Sequence, residues 1–258
     1  MDTKILVFAN NIADLARSIA IESFRSELVL KRKSDTSPVS NIDLAIETKL
    51  FQLISSRFPK HGFMGEELGE FNKESAYQWV IDPIDGTSSF IAGKPTFSIL
   101  ISLLYEGNPI LGIIDQPITG ERWVGQKGKK TEFNSRPCAI KSIEEPFLRL
   151  ACTTPFMFKD SEFKIFKKIS SLASSISFGG DAYNYGLLAL GHMEIILEAD
   201  LKYYDVAALI PVVEGSGGVI TNWQGDLIRK DSFDGRVLAT SHRTLHNSIL
   251  TQIDSCIL

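Results

Sequence analysis

Trp79-Val80-Ile81-Asp82-Pro83-Ile84-Asp85-Gly86-Thr87 begins apolar and β-prone and then breaks into a turn. Trp79 to Ile81 reads as the end of a buried strand. Pro83 lacks an N–H and cannot continue a central strand, so the chain is expected to leave the sheet there. Asp85-Gly86 is a turn signal. Two carboxylates, Asp82 and Asp85, therefore stand close together on a tight loop at the C-terminal edge of a strand. In α/β architectures that edge is where ligands bind. Acids held this close repel one another unless a cation lies between them. Hard divalent cations take oxygen donors, here the carboxylates and a backbone carbonyl such as that of Ile84. Gly86, Thr87 and Ser88 add N–H groups and hydroxyls suited to a phosphate at a helix start. The pattern points to a Mg2+ and phosphate site. A capped turn with two solvated acids is the structural alternative, and further acids elsewhere decide between them.

The chain has 258 residues, enough for one large or two ordinary domains with a sizeable core. Its composition, 44% hydrophobic and 22% charged, is that of an ordinary globular enzyme. With 31 acidic against 27 basic residues the net charge is −4, and Lys31-Arg32-Lys33 is too short a basic run to suggest nucleic acid as a partner. Three cysteines, Cys138, Cys152 and Cys256, are odd in number and unpatterned. They fit a reducing, cytoplasmic compartment and neither a disulfide nor a zinc framework. No apolar run is long enough for a membrane span, and Asp14, Arg17, Glu22 and Arg25 interrupt any signal-peptide core.

Working outward, Ile5, Phe8, Ile12, Leu15, Ile19 and Phe24 predict one amphipathic helix over residues 3–30. A polar loop, Lys33 to Pro38, follows. Ser40-Asn41-Ile42-Asp43 has capping-box form and opens a helix to about Phe58. Asp43 has two readings there, as that cap or as a site residue. Phe63-Met64-Gly65 is a short strand stopping at Glu66 and Glu67 in a generally acidic stretch. Three strands, Phe97 to Tyr105, Pro109 to Asp115 and Glu121 to Gly125, predict an antiparallel meander, with turns at Glu106-Gly107-Asn108 and Pro117 to Gly120. From about Leu148 strands and helices alternate, and Asp205 is expected to start a strongly apolar helix, Val206 to Val213. The division falls between an N-terminal α+β half, residues 1–140, and a C-terminal α/β half, residues 141–258. The four histidines read as surface or structural. No Walker, dinucleotide or nucleophile-elbow pattern is present, and Gly215 to Gly218 reads as a helix C-cap and turn.

Asp82-Pro83-Ile84-Asp85-Gly86-Thr87, with Gly65-Glu66-Glu67 before it and Asp205-Val206-Ala207-Ala208 and Gly217-Gly218 after it, resembles the inositol monophosphatase family. The likeness runs from Asp35 to about Gly225. It implies a Mg2+-dependent, lithium-sensitive phosphomonoesterase using two or three ions, a layered α/β/α/β/α sandwich of the sugar-phosphatase type, and a homodimer. Residue by residue, it makes Glu66, Asp82, the Ile84 carbonyl, Asp85 and Asp205 the metal ligands. Asp43 and Thr87 would orient and deprotonate the attacking water, with Glu66 also in the catalytic set. Gly86, Thr87 and Ser88 would hold the phosphate. Asp181 and Glu198 would face the organic part of a small phosphorylated substrate, with Asp85 and Asp205 beside it. Ser37-Pro38-Val39-Ser40, Gly112 to Trp123 and Gly179-Gly180-Asp181-Ala182-Tyr183 look like the histidinol-phosphatase branch, although Ser88-Ser89 and Ser98 depart from it. The resemblance therefore implies hydrolysis of histidinol phosphate, with inositol phosphate or another sugar or nucleotide phosphate as the alternative. A silent binding member should lack a ligand position, and none is lacking.

Overall fold

The computed structural model describes residues 2–32, 38–140 and 147–257. The polar loop 33–37, including Ser37 and Asp35, and residues 141–146 at the expected division lie outside the described residues.

Helix α1 (Thr3–Ser23) starts at Asp2, whose carboxylate accepts the Lys4 N–H. It stops well short of the expected residue 30. Phe24 is already extended, and Arg25 takes a left-handed φ of 63°. The Arg25 guanidinium grips the Gly93 carbonyl at 2.9 and 3.1 Å, so a tertiary anchor replaces the next helical turn. Strands β1 (Leu30–Arg32) and β2 (Pro38–Ser40) form an antiparallel pair, and α2 (Asn41–Arg57) follows with the predicted capping box. Next come β3 (Gly62–Gly65), β4 (Gly69–Phe71), β5 (Tyr77–Asp85), the short helix α3 (Thr87–Ile91), β6 (Ser98–Tyr105), β7 (Asn108–Gln116) and β8 (Glu121–Gln126). A small hairpin, β9 (Glu132–Phe133) and β10 (Arg136–Pro137), completes an eight-stranded sheet of order β10-β9-β8-β7-β6-β5-β3-β4. The expected meander is there, with β3 parallel to β5. Strand β4 was not anticipated. Left-handed Gly69 turns the acidic stretch back onto β3 as an exposed edge.

The second sheet is built from β11 (Arg149–Cys152), α4 (Asp160–Ser170), β12 (Ser175–Phe178), α5 (Tyr183–Ala189), β13 (Ile195–Glu198), α6 (Tyr203–Val206), α7 (Leu209–Gly215), β14 (Val219–Thr221), β15 (Val237–Thr240) and α8 (Arg243–Ile257). Its order is β12-β11-β13-β15-β14. The layers run α1 and α2, first sheet, α5 to α7, second sheet, α4 and α8. Strand alternation sorts the side chains. Trp79, Ile81, Ile99, Ile101 and Leu103 pack toward α1 and α2, whereas Val80, Leu100, Leu104, Ile114 and Trp123 pack toward the middle helices.

Two further expectations are corrected. The chain does not leave the sheet at Pro83. Asp82 pairs with Leu100 and Asp85 with Ser98, so a bulge carries one extra residue between them and the strand resumes. The missing N–H of Pro83 falls in that bulge, where no ladder bond is needed. The apolar helix after Asp205 is also broken, into α6 and α7. Pro211 cannot donate to the Ala207 carbonyl four residues back. The Ser102 hydroxyl lies 3.2 Å from that carbonyl and 2.8 Å from the Leu111 carbonyl, and so borders both.

The histidines whose contacts are resolved are structural. His61 stacks between Phe58 and Tyr77 and accepts the Trp79 indole N–H at 3.1 Å. His246 is buried with its ring nitrogens 2.9 and 3.0 Å from the Thr221 and Thr240 hydroxyls. No helix among the described residues is long and apolar enough to cross a membrane.

Candidate active site

The bulge in β5 aims two acids at the middle helices. One oxygen of Asp82 is fixed by the Ile84 N–H at 3.1 Å. Asp85 accepts the Ala182 N–H at 2.6 Å, a bond that ties β5 to the start of α5 across the molecule. The third acid, Asp205, closes the turn of α6 by accepting the Lys202 N–H at 2.6 Å. One oxygen from each of Asp82, Asp85 and Asp205 lies within 4.8 Å of the others. Glu66, just past β3, comes close enough to Asp82 for a side-chain hydrogen bond.

Asp205 reaches this place because α7 lies directly on the sheet. Gly112 and Gly125 pair across β7 and β8. A Cβ on Gly112 would sit 2.0 Å from the Ala208 carbonyl oxygen, and one on Gly125 would sit 2.3 Å from the Pro211 and Val212 backbone. Only glycine permits that approach.

Asp43 fills both of its readings. Its Oδ2 accepts the Ser40 N–H at 3.1 Å and the Ser40 hydroxyl, closing the capping box. Its Oδ1 is 3.1 Å from the Thr87 hydroxyl, which also lies 3.0 Å from the Ile84 carbonyl. Gly86 begins α3 with a left-handed φ of 85°, and a Cβ there would stand 2.7 Å from Asp181 Oδ2. An open cleft of about 570 Å3 includes Glu66, Gly86, Thr87, Ser88, Phe178 and Asp181 in its walls. A smaller cavity of about 150 Å3 beyond it is lined by Asp85, Asp205, Tyr185 and Glu198, and shares Thr153 and Asp181 with the cleft. Glu198 lies behind Asp181 rather than in the open cleft. Its oxygens take the Thr153 N–H at 2.9 Å, the Thr153 hydroxyl at 2.6 Å and the Tyr185 hydroxyl at 2.7 Å.

The electrostatics of the site are strained without a cation. Burial first, then Glu66, Asp85 and Asp205, hold the Asp82 carboxyl well above the usual carboxylate range. Burial, then Asp181 and Asp205, do the same to Asp85. Burial is the largest cause at Asp205, pushed up to about 8, and at Asp181, pushed up to about 7 with Glu198 as the next contributor. Asp43 is also raised, chiefly by burial. Oxygen donors only, crowded and poorly solvated, form a set that a hard divalent cation such as Mg2+ fits.

The sequence model of the inositol monophosphatase family matches residues 1–258. The chain belongs to the inositol monophosphatase family. The bifunctional phosphatase IMPL2, chloroplastic, of Arabidopsis thaliana is 41% identical over 230 residues, covering 87% of this chain. This chain spans only 66% of the length of that relative. A histidinol-phosphatase of Chlorobaculum parvum is 30% identical over 97% of both chains. The solved structure of an inositol monophosphatase from Zymomonas mobilis superposes with a TM-score of 0.87 at 38% identity, covering 97% of this chain and 98% of that one. The inositol monophosphatase family is in general Mg2+-dependent and includes phosphoric monoester hydrolases.

The stretches that look like the histidinol-phosphatase branch do not all face the cleft. Asp115 is fully buried between Arg17, at 2.6 and 2.9 Å, and Arg122, at 2.5 Å, and fastens the first sheet to α1. The Tyr183 hydroxyl donates to Glu121 at 2.7 Å, so two of the branch-like stretches join one another. Asp181 alone among their described side chains lines the cleft.

Sequence reasoning missed Glu47, Thr153 and Tyr185. Glu47 carried a readable signal. It falls with Ile46, Leu50 and Ile54 on the apolar face of α2, one turn after Asp43, where a charge needs a partner. The other two, Thr153 and Tyr185, gave no local signal, because both act by reaching Glu198 from distant positions.

Proposed function

We propose that this chain hydrolyses L-histidinol phosphate to L-histidinol and inorganic phosphate. Glu66, Asp82, Asp85, Asp205 and the Ile84 carbonyl would hold Mg2+. When bound, the metal supplies charge neutralisation at the phosphoryl group and a lowered pKa for the attacking water. The chain's own residues do the rest. Asp43, fixed by Ser40, keeps Oδ1 on the Thr87 hydroxyl and accepts the water proton through it. Gly86, Thr87 and Ser88 border the phosphate end of the cleft.

The observation that carries the substrate reading is Asp181. It lines the cleft, and burial followed by Glu198 raises its carboxyl to about 7. A substrate ammonium group relieves that repulsion, as a neutral polyol does not. Similarity to the Chlorobaculum parvum histidinol-phosphatase supports the same reading. The second reading, an inositol phosphate substrate, is favoured by the likeness to the Zymomonas mobilis inositol monophosphatase.

The test is phosphate release from histidinol phosphate and inositol 1-phosphate side by side, with Mg2+ and with EDTA. The expected result is Mg2+-dependent preference for histidinol phosphate, with Asp181→Asn raising KM for that substrate about tenfold or more. A preference for inositol 1-phosphate replaces the first reading with the second.

A further inference from the structure

Glu47 sits on the buried face of α2 with none of its side chain exposed, among Ile46, Leu50 and Ile54. A carboxylate in such a place is costly unless hydrogen bonds replace its water. Among the described residues no salt bridge reaches it. Its partners are two backbone groups, the Glu67 N–H on Oε2 at 2.9 Å and the Leu68 N–H on Oε1 at 2.6 Å. The preceding amide, that of Glu66, donates to the Ile81 carbonyl at 3.3 Å. Three successive amides are therefore anchored, the first beside Asp82 and the next two on one carboxylate. Gly65 completes the fit, because a Cβ there would lie 2.0 Å from Glu47 Oε1.

We infer that Glu47 is a positioning residue that holds the Glu66 backbone in register with Asp82, so that metal affinity depends on a carboxylate that never touches the ion. This rests on the reading of Glu66 as a metal ligand. The same helix presents Asp43 one turn earlier toward Thr87. Helix α2 thereby couples the β3–β4 loop and the start of α3 through two inward acids on a rigid spine.

The test is Glu47→Gln, which keeps the shape but turns one acceptor into an NH2 group facing an N–H. Mg2+ alone is titrated calorimetrically into the substrate-free protein, and phosphate release is measured against Mg2+ concentration. The expected result is Mg2+ affinity weakened about 10–100-fold and half-saturating Mg2+ raised by the same factor, with the lost turnover recovered by raising Mg2+. Glu66→Gln serves as reference, its loss persisting at high Mg2+. A lower Tm for Glu47→Gln with unchanged Mg2+ affinity makes Glu47 merely structural and overturns the inference. Should Glu47→Gln not fold, Glu47→Asp, which keeps the charge and shortens the reach, is read by the same criterion. Failure of the underlying reading looks different: the wild-type protein would bind no Mg2+ and its hydrolysis would survive EDTA.

Discussion

Asp82 is 2% exposed and faces three other carboxyl groups, Glu66, Asp85 and Asp205. In such a place stability and function pull in opposite directions. Asp82→Asn removes one charge from a crowded set and one oxygen donor from the metal site. Without metal the variant is expected to melt at a higher temperature than the wild type, because repulsion and desolvation both fall. With saturating Mg2+ its phosphate release is expected to drop by at least about a hundredfold, since a ligand is lost rather than a surface charge. Melting in EDTA and turnover at saturating Mg2+ check the two halves separately. Near-normal turnover would take Asp82 out of the metal set.

At the level of elements, the decisive contact is α7 against the paired glycines of β7 and β8. The break between α6 and α7 follows from Pro211, and the carbonyl that the break frees lies 3.2 Å from the Ser102 hydroxyl. Position and break together set where Asp205 stands. Gly125→Ala puts a methyl 2.3 Å from the Pro211 and Val212 backbone, atoms that cannot swing aside as a side chain could. The expected cost is on the order of 1–3 kcal/mol, the usual penalty of overpacking a filled interior. Because the displaced helix follows directly on α6, Mg2+ affinity is expected to weaken as well. Denaturant unfolding of the metal-free variant and Mg2+ titration of its activity measure these effects. Wild-type values for both would mean that the sheet and α7 separate without consequence for the site.

For the molecule as a whole, the acids of the site predict how stability varies with pH. Asp205 is raised to about 8, Asp181 and Glu47 to about 7, and burial is the largest cause in each. In the unfolded chain these groups titrate near about 4. The folded state therefore binds protons more tightly, and the resulting stability is present below that pH and lost as pH rises through about 7 to 8. His246 works in the other direction. Burial lowers it to about 4, so its contribution is present above about 6.5 and fades on acidification. Between about pH 7 and about pH 8.5 the acids dominate. In EDTA the Tm is expected to fall across that window. Mg2+ is expected to raise Tm at both ends, and more at the alkaline end, because it binds the ionised form. A flat profile in EDTA, or an equal Mg2+ shift at both pH values, would show that the cluster is not charge-strained.

What the sequence alone determined is what short-range rules govern. The turn at Gly86 and the capping box at Ser40 to Asp43 are readable because glycine and cap residues act on their immediate neighbours. The meander from β6 to β8 is readable because strand periodicity repeats every second residue. The bulge at Pro83 and the split between α6 and α7 escaped that reading. In both, a neighbouring strand decides whether a missing N–H ends an element or only interrupts it. The resemblance grouped Asp82, Asp85 and Asp205, but the tertiary structure alone decided how they converge, that Glu47 reaches the loop of Glu66, and that Glu198 stands behind Asp181 on Thr153 and Tyr185. These depend on close approach between residues far apart in the chain, at Gly112 and Gly125 and along the Asp85 to Ala182 bond. Packing distance and the need to satisfy buried polar groups act through space, and neither leaves a period in the sequence.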